Sequence, residues 1–186
     1  MDAMEMLLGR ESATKLASPG PDQAELDAIL GTAIRAPDHG RLRPWRFVVI
    51  PEAKRERFGE LLADCLHRAQ PDAPADMLQR ERDKALRSPL IVVVAARIQR
   101  GHKIPEVEQL VSAAAAAENI MLAARAKGFG AMWKTGAPAY DMTVKQALGL
   151  DAQDDIVGFL YLGTQVGAGS PAARPAVQDL VSVWQG

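Results

Sequence analysis

The order of helical and strand patterns predicts a helix-rich protein with about four strands, of the α/β or α+β class. Apolar residues make up 48% of the 186 residues, which is enough to form a core. Short apolar runs alternate with longer stretches of helical spacing, so we expect a sheet wrapped by helices. No internal repeat or linker interrupts the chain, and the length fits one domain over residues 1–186.

The first stretches are both predicted to be helical. Residues 2–9 form a short helix, and residues 22–36 form a longer one. Asp22 can cap this second helix, and Glu25 stands at the position that a capping box requires. Pro37 cannot continue a helix, so the helix is predicted to end there.

The middle of the chain supplies two strands and two helices. Residues 46–50 are predicted to form a buried strand that Pro51 ends. Helices are predicted over residues 52–69 and 75–87. Residues 90–96 are apolar throughout, which is typical of a strand buried on both faces of a sheet.

The second half begins with a long alanine-rich helix over residues 106–127, since alanine is the best helix former. At 1.5 Å per residue such a helix is about 33 Å long. A strand near residues 131–134, a helix over 138–149 and a last strand over 156–162 are expected to follow. The segment beyond residue 163 has a loosely specified structure.

Composition excludes several classes of protein. The formal net charge is −1, with 22 basic and 23 acidic residues, so no global field favours nucleic acid or an anionic membrane. The one cysteine, Cys65, excludes an intrachain disulfide and reads as a packed thiol in an apolar helix. No apolar run approaches the roughly 20 residues that a membrane-spanning helix needs, and the N-terminus carries no secretory pattern. We therefore expect a cytoplasmic protein.

Common catalytic motifs are missing from the sequence. There is no Walker phosphate loop and no G-x-S-x-G elbow. The glycines at 163, 167 and 169 lack the strand and helix of a dinucleotide fingerprint. The three histidines lack metal-ligand spacing, so no metal site is expected. Acid–base or nucleophilic catalysis by protein side chains is poorly supported.

Three short clusters remain, and each allows two interpretations. Residues 10–12 are either a solvated helix end or a phosphate site, because arginine offers a planar fork of donors and serine a hydroxyl. Residues 35–46 are either a surface loop whose Trp45 packs inward or a site for a planar anionic ligand. Residues 128–136 are either a plain helix-to-strand turn or a flat apolar surface with Lys134 beside it.

Together, and in this order, the three clusters resemble the nitroreductase family of flavoproteins, and most closely its shortest members. The resemblance extends from Met1 to about Gly163. The segments that carry it are Arg10-Glu11-Ser12, Ala36-Pro37-Asp38-His39, the run from Pro44 to Ile50, Gly128-Phe129-Gly130 with Trp133, and the run from Gly158 to Gly163.

The resemblance implies an α+β sandwich, with a mixed or antiparallel sheet of about four to five strands wrapped by helices. It also implies an intertwined homodimer with FMN at the interface, in which the helix over 106–127 packs against its mate. The implied activity is hydride transfer from NAD(P)H, through the flavin, to a nitroaromatic or quinone-like acceptor in a ping-pong cycle. The flavin carries this chemistry, so no catalytic side chain is expected.

Carried over by position, Arg10 and Ser12 would bind the phosphate and ribityl end of FMN. Glu11 would contribute mainly its backbone. Arg35 and His39 would reach the flavin from the other subunit. These assignments are implied by the resemblance.

The resemblance assigns two further segments. Trp133, Lys134 and Thr135 would line the flavin site, with Lys134 as a phosphate or ribityl partner. Residues 123–128 match a segment that is associated with nicotinamide-cofactor binding in close relatives, although their pattern is also that of a plain packed helix. These residues are Ala123, Ala124, Arg125, Ala126, Lys127 and Gly128.

The chain departs from the family at several positions. Glu11 stands where many relatives have a second arginine, so we expect its carboxylate to face away from the phosphate. Arg43 replaces a glutamine, and Thr14 replaces a base, which leaves Lys15 as a candidate neighbour of the flavin N1 and O2 edge. These changes leave the acceptor open, and no ribose-reading motif separates NADH from NADPH. A flavin reservoir without NAD(P)H turnover, or specialised chemistry such as reductive dehalogenation, are the alternatives.

Overall fold

The computed structural model describes residues 2–167, 169 and 173–186. Within these residues the centre of the fold is a five-stranded antiparallel sheet. Its strands are β1 (Leu16–Ala17), β2 (Trp45–Ile50), β3 (Leu90–Arg97), β4 (Gly130–Lys134) and β5 (Asp154–Gln165). β5 pairs with β3 on one side and with β4 and then β1 on the other, and β2 lies beyond β3. The predicted α+β class is confirmed.

Helices cover both faces of the sheet. They are α1 (Ala3–Leu8), α2 (Gln23–Ala33), α3 (Arg55–Ala69), α4 (Ala75–Lys84), α5 (Glu106–Ala126) and α6 (Met142–Ala147). α2 and α5 pack on one face, and α3 and α6 contribute to the core on the other. None of these helices combines the length and the apolar character that crossing a bilayer requires.

β3 is the most deeply buried strand, as its uninterrupted apolar sequence predicts. Successive side chains of a strand point to opposite faces. Val92 and Val94 therefore join the core beneath α2 and α5, whereas Ile91 and Val93 join the core beneath α3. The sheet thus separates two apolar layers.

The predicted capping box of α2 is present. The Asp22 carboxylate accepts a hydrogen bond from the Glu25 backbone N–H at 2.8 Å, and the Glu25 carboxylate accepts one from the Asp22 N–H at 3.0 Å. The helix ends at Ala33, three residues before the predicted end. Residues close to Pro37 avoid the α conformation, and tight turn bonds replace the helical ones.

Several other element boundaries differ from the prediction, and β5 extends beyond both ends of the predicted strand over 156–162. The 3₁₀ turn Glu52–Lys54 precedes α3, and α4 ends at Lys84. The expected helix over residues 138–149 is a 3₁₀ turn, Ala137–Ala139, followed by α6. Asp141 caps the N-terminus of α6, because its side chain accepts a hydrogen bond from the Val144 N–H. This cap separates α6 from the preceding 3₁₀ turn.

Asp141 provides a test of this cap through its pKa. Burial acts to raise the pKa of Asp141, but hydrogen bonds from the Val144 N–H and the Arg68 guanidinium outweigh it and hold the pKa below its ordinary value. The ionised carboxylate therefore stabilises the fold above its ordinary pKa, and this stabilisation is lost as the pH falls through the lowered pKa. Asp141→Ala should lower the free energy of unfolding by about 1–2 kcal/mol at neutral pH.

Urea unfolding at neutral pH and near pH 3 measures the effect, with Asp72→Ala, an exposed carboxylate between α3 and α4, as the matched control. The difference in the free energy of unfolding between the wild type and the Asp141 variant should be smaller near pH 3. A difference equal at both pH values would contradict the role of the ionised carboxylate.

Candidate functional site

A groove runs along the outer edge of β4. The backbone N–H of Ala13 donates to the carbonyl of Ala131 at 2.9 Å, which holds the segment after α1 against the strand. The groove has a volume of about 110 Å³, and we call it the edge groove. Its lining residues are Ala13, Thr14, Leu16, Arg87, Met132, Lys134 and Tyr161.

A second space, the inner cavity, adjoins the edge groove and shares Arg87, Lys134 and Tyr161 with it. It has a volume of about 300 Å³. Apolar side chains of α3 and β5 line it, including Leu62 and Phe159. Ligand sites in proteins are typically apolar concavities with a few placed polar groups, and the two spaces together have this character.

Two cations at this site form no ion pair with any residue that the structure describes. The Lys84 ammonium is paired with the Glu81 carboxylate. Among the described residues, no carboxylate forms an ion pair with Arg87 or Lys134. The site therefore offers uncompensated positive charge to a ligand. No sequence motif singled out Arg87, although its position three residues before the buried strand β3 was a usable signal.

Tyr161 adds a neutral polar group to the same wall. Burial raises the pKa of its phenol to about 12, although the nearby Arg87 acts in the opposite direction. The hydroxyl therefore stays protonated at physiological pH and can donate a hydrogen bond.

The first predicted cluster is divided between two surroundings. The Arg10 Nε lies 3.8 Å from a carboxylate oxygen of Glu118 on α5. The Glu11 carboxylate accepts a hydrogen bond from Gln165 at 2.9 Å, at the end of β5. Ser12 is exposed and directly precedes the edge groove. Thr14, rather than Lys15, lines that groove.

Arg35 and His39 lie elsewhere on the chain. The His39 Nδ1 is 2.5 Å from the Glu108 carboxylate near the start of α5, and Arg35 is exposed after α2. At 1.5 Å per residue, Glu108 and Glu118 are about 15 Å apart along the helix. The cluster of Arg10 and Ser12 therefore does not meet His39 within one chain.

The loop that carries His39 is held tightly. The Asp38 carboxylate accepts from the backbone N–H groups of Leu42 at 3.1 Å and Arg43 at 2.8 Å. Arg41 and Arg43 have positive φ angles, of 55° and 50°, which costs energy for residues other than glycine. The brace from Asp38 offsets this strain, so the loop is pre-organised rather than loose.

Trp45 follows the same loop and packs inward, as the first interpretation of this cluster predicted. Its ring contacts both the core beneath α5 and a small adjoining apolar cluster. Its Nε1–H donates to the Ser112 hydroxyl at 3.0 Å, and that hydroxyl donates to the Pro37 carbonyl at 2.6 Å. Trp45 therefore anchors the loop to α5.

The third cluster is split by the alternation of β4. Trp133 lies on the α5 side of the sheet, where its Nε1–H donates to the Val157 carbonyl at 3.2 Å. A side chain at Gly158 would collide with its ring, so glycine is needed there. Lys134 lies on the opposite side, in the edge groove, and Thr135 lines the inner cavity. The structure brings these two together and separates the Trp133 side chain from them.

Residues 123–128 form the last turn of α5 and its cap. Ala124 is fully buried, and Gly128, with φ of 87°, ends the helix. The Arg125 guanidinium lies against Gly9. The segment is thus largely packed helix, with an exposed edge at residues 126–128.

Cys65 is buried beside the inner cavity, which confirms the packed thiol. Desolvation and the neighbouring Asp141 raise its pKa. Because the thiolate is the reactive form, we expect folded protein to react with Ellman's reagent much more slowly than protein in urea. Equal rates in the two conditions would show that the thiol is accessible and ionised.

Comparisons with known proteins identify the family of this chain. The model of the nitroreductase family matches residues 7–164. This range includes the residues of the edge groove and the loop that carries His39. The chain belongs to the nitroreductase family. It is 43% identical over 164 residues to the Escherichia coli K12 protein named "Putative NAD(P)H nitroreductase YdjA", with 88% of each chain covered.

Solved structures of nitroreductases share the fold. A nitroreductase-like family protein from Bacillus cereus superimposes with a TM-score of 0.84 at 22% identity, covering 100% of this chain and 97% of that one. A mutant of the FMN and NADPH-dependent nitroreductase NfnB from Sphigopyxis sp. strain HMH gives a TM-score of 0.80 at 19% identity, with 100% of both chains covered. The family and fold expected from the sequence clusters are therefore confirmed.

Proposed function

We propose that this nitroreductase-family protein is one FMN-binding domain that oxidises NAD(P)H and reduces a small nitroaromatic or quinone-like acceptor in a ping-pong cycle. Family membership supports the reaction class. The names of YdjA and NfnB refer to NAD(P)H and to FMN with NADPH, respectively, and they suggest the same reactants here.

The observation that carries the proposal is the joined edge groove and inner cavity. Its apolar walls suit a planar ring, and Arg87 and Lys134 supply positive charge that no described carboxylate pairs with, since Glu81 in the cavity wall is paired with Lys84. Thr14 and Tyr161 add hydroxyl groups. This set of donors fits a flavin, which combines an apolar ring, a polar pyrimidine edge and a phosphorylated sugar chain.

The residues of the chain would hold FMN in a defined order. Arg10 and Ser12 bind the phosphate end, Lys134 and Thr135 bind the ribityl chain or the ring, and Tyr161 donates to a polar ring edge. Bound FMN would supply the hydride-transfer chemistry between NAD(P)H and the acceptor. The protein side chains position both reactants, keep water from the apolar cavity and stabilise negative charge next to the cations.

The proposal includes a homodimer, because α5 separates two halves of the site. A two-fold axis near residue 113 of α5 would lay two copies of the helix antiparallel. Glu108 of one helix would then lie opposite Glu118 of the other. This arrangement brings the partner's His39 and Arg35 towards Arg10, which one chain alone does not achieve.

Exposed apolar side chains support such an interface, since large exposed patches mark interaction sites. They occur on α1, on the first half of α5 and in the C-terminal segment. Examples are Met4, Leu7, Leu8, Val107, Val111, Val177, Leu180, Val181, Val183 and Trp184.

The test begins with the absorption spectrum of the purified protein and the shift of its Tm on adding FMN. A colourless protein whose Tm does not respond to FMN would refute flavin binding. Steady-state oxidation of NADH and NADPH with a nitroaromatic or a quinone then tests turnover. No turnover in FMN-loaded protein would exclude the reductase and support a flavin reservoir. Sedimentation as a monomer at micromolar concentration would contradict the shared site.

A further inference from the structure

A half-buried arginine lies beside the proposed phosphate end of the site. Arg125 is on the last turn of α5, and its Nε is fully buried without a hydrogen-bond partner in the residues that the structure describes. Its guanidinium occupies the space that a side chain at position 9 would need, so Gly9 makes room for it. The guanidinium is therefore held in place by packing rather than by an anion.

Arg125 shares a small cavity with the first sequence cluster. Arg10, Glu11 and Arg125 line it together with Gln165 and residues of α5 and β4. The carboxylate of Glu11 is bonded to Gln165, and that of Glu118 lies 3.8 Å from Arg10. No ion pair joins Arg125 to a carboxylate in the described residues. A guanidinium that is partly buried and lacks an anion is costly, so an anionic partner is expected here.

The balance of local charges supports a role for this residue. Arg10 alone, next to Glu11 and Glu118, leaves a corner of net negative charge that would repel a phosphate. Arg125 restores neutrality before any ligand binds. Arginine also presents a planar fork of N–H donors that matches phosphate oxygens, and charge-assisted bonds of this kind are strong.

We propose that Arg125 is a second phosphate-binding arginine, which acts together with Arg10 on the phosphate of bound FMN. This inference rests on the proposed function, and it replaces the assignment of Arg125 to a nicotinamide site. It also explains how the chain tolerates Glu11 beside a phosphate.

The test compares FMN with riboflavin, which has the same ring and sugar chain but no phosphate. Both dissociation constants are measured on apoprotein by flavin fluorescence quenching. Arg125→Gln should raise the Kd for FMN about tenfold or more, the lower bound for a charge-assisted hydrogen bond, and leave the Kd for riboflavin unchanged. Arg57→Gln, an exposed arginine on α3, is the matched control and should change neither value.

An equal rise for both flavins, or no rise for either, would overturn the inference and leave Arg125 with a packing role. Arg125→Lys keeps the charge without the fork, and it should give an intermediate Kd for FMN in case the glutamine variant does not fold. Wild-type protein that binds neither flavin would refute the proposed function itself. Wild-type protein that prefers FMN, with the same preference in Arg125→Gln, would refute only the role of Arg125.

Discussion

Arg10→Ala protein is expected to bind FMN about 10- to 150-fold more weakly than the wild type. A charge-assisted hydrogen bond to phosphate contributes roughly 1.5–3 kcal/mol, and each 1.4 kcal/mol is a factor of ten in Kd. Arg10 directly precedes the segment that borders β4, and it is partly exposed, so its guanidinium can reach a ligand there. Fluorescence titration of apoprotein with FMN measures the change.

The loss of the Arg10–Glu118 ion pair should contribute little, because exposed pairs stabilise proteins by about 0–1 kcal/mol. The Tm of the apoprotein monitors this effect, and Arg57→Ala serves as the matched change. If the Kd of the Arg10→Ala variant for FMN lay within twofold of the wild-type value, Arg10 would not bind the phosphate. A similar loss of riboflavin affinity would show that Arg10 acts on the ring or the fold.

Trp184→Ser is expected to dissociate the proposed dimer. The Trp184 side chain is 89% exposed in the single chain, although tryptophan is a typical anchor residue of protein interfaces. Truncating such an anchor costs about 2 kcal/mol, and a two-fold dimer contains it twice. The Kd of the dimer should therefore rise about a thousandfold. Sedimentation velocity over a concentration series measures it.

Tyr140→Ser is the matched control, because Tyr140 is also strongly exposed, at 78%, but lies on the turn before α6. It should leave the sedimentation coefficient unchanged. Dimers of undiminished affinity in the Trp184 variant would show that the C-terminal segment lies outside the interface.

Local sequence patterns predicted the elements whose stability is itself local. The capping box at Asp22, the apolar run of β3 and the alanine-rich α5 all depend on neighbours within a few residues. β1 escaped prediction because Leu16–Ala17 carries no pattern of its own, and its partner residues in β5 lie far along the chain.

Only part of the candidate site could be predicted, because only some of its residues belong to local motifs. Arg10, Lys134 and Thr135 belong to recognisable motifs, whereas Arg87 and Tyr161 join the site only through the pairing of distant strands. The direction of Trp133 depends on the register of β4 against β5, since a slip of one residue reverses every side chain of a strand. No pattern in the sequence of β4 alone specifies that register.

α5 contacts His39 near its start and Arg10 near its middle, so the length of helix between Glu108 and Glu118 would set the spacing of these two residues in the proposed dimer. One residue inserted between Glu108 and Glu118 would shift the two contacts by about 1.5 Å and rotate them by about 100°. In the proposed dimer, Arg10 of one protomer and His39 of its mate would then not face the same space. Natural length variation among functional homologues should therefore avoid this stretch and accumulate in loops such as residues 70–74.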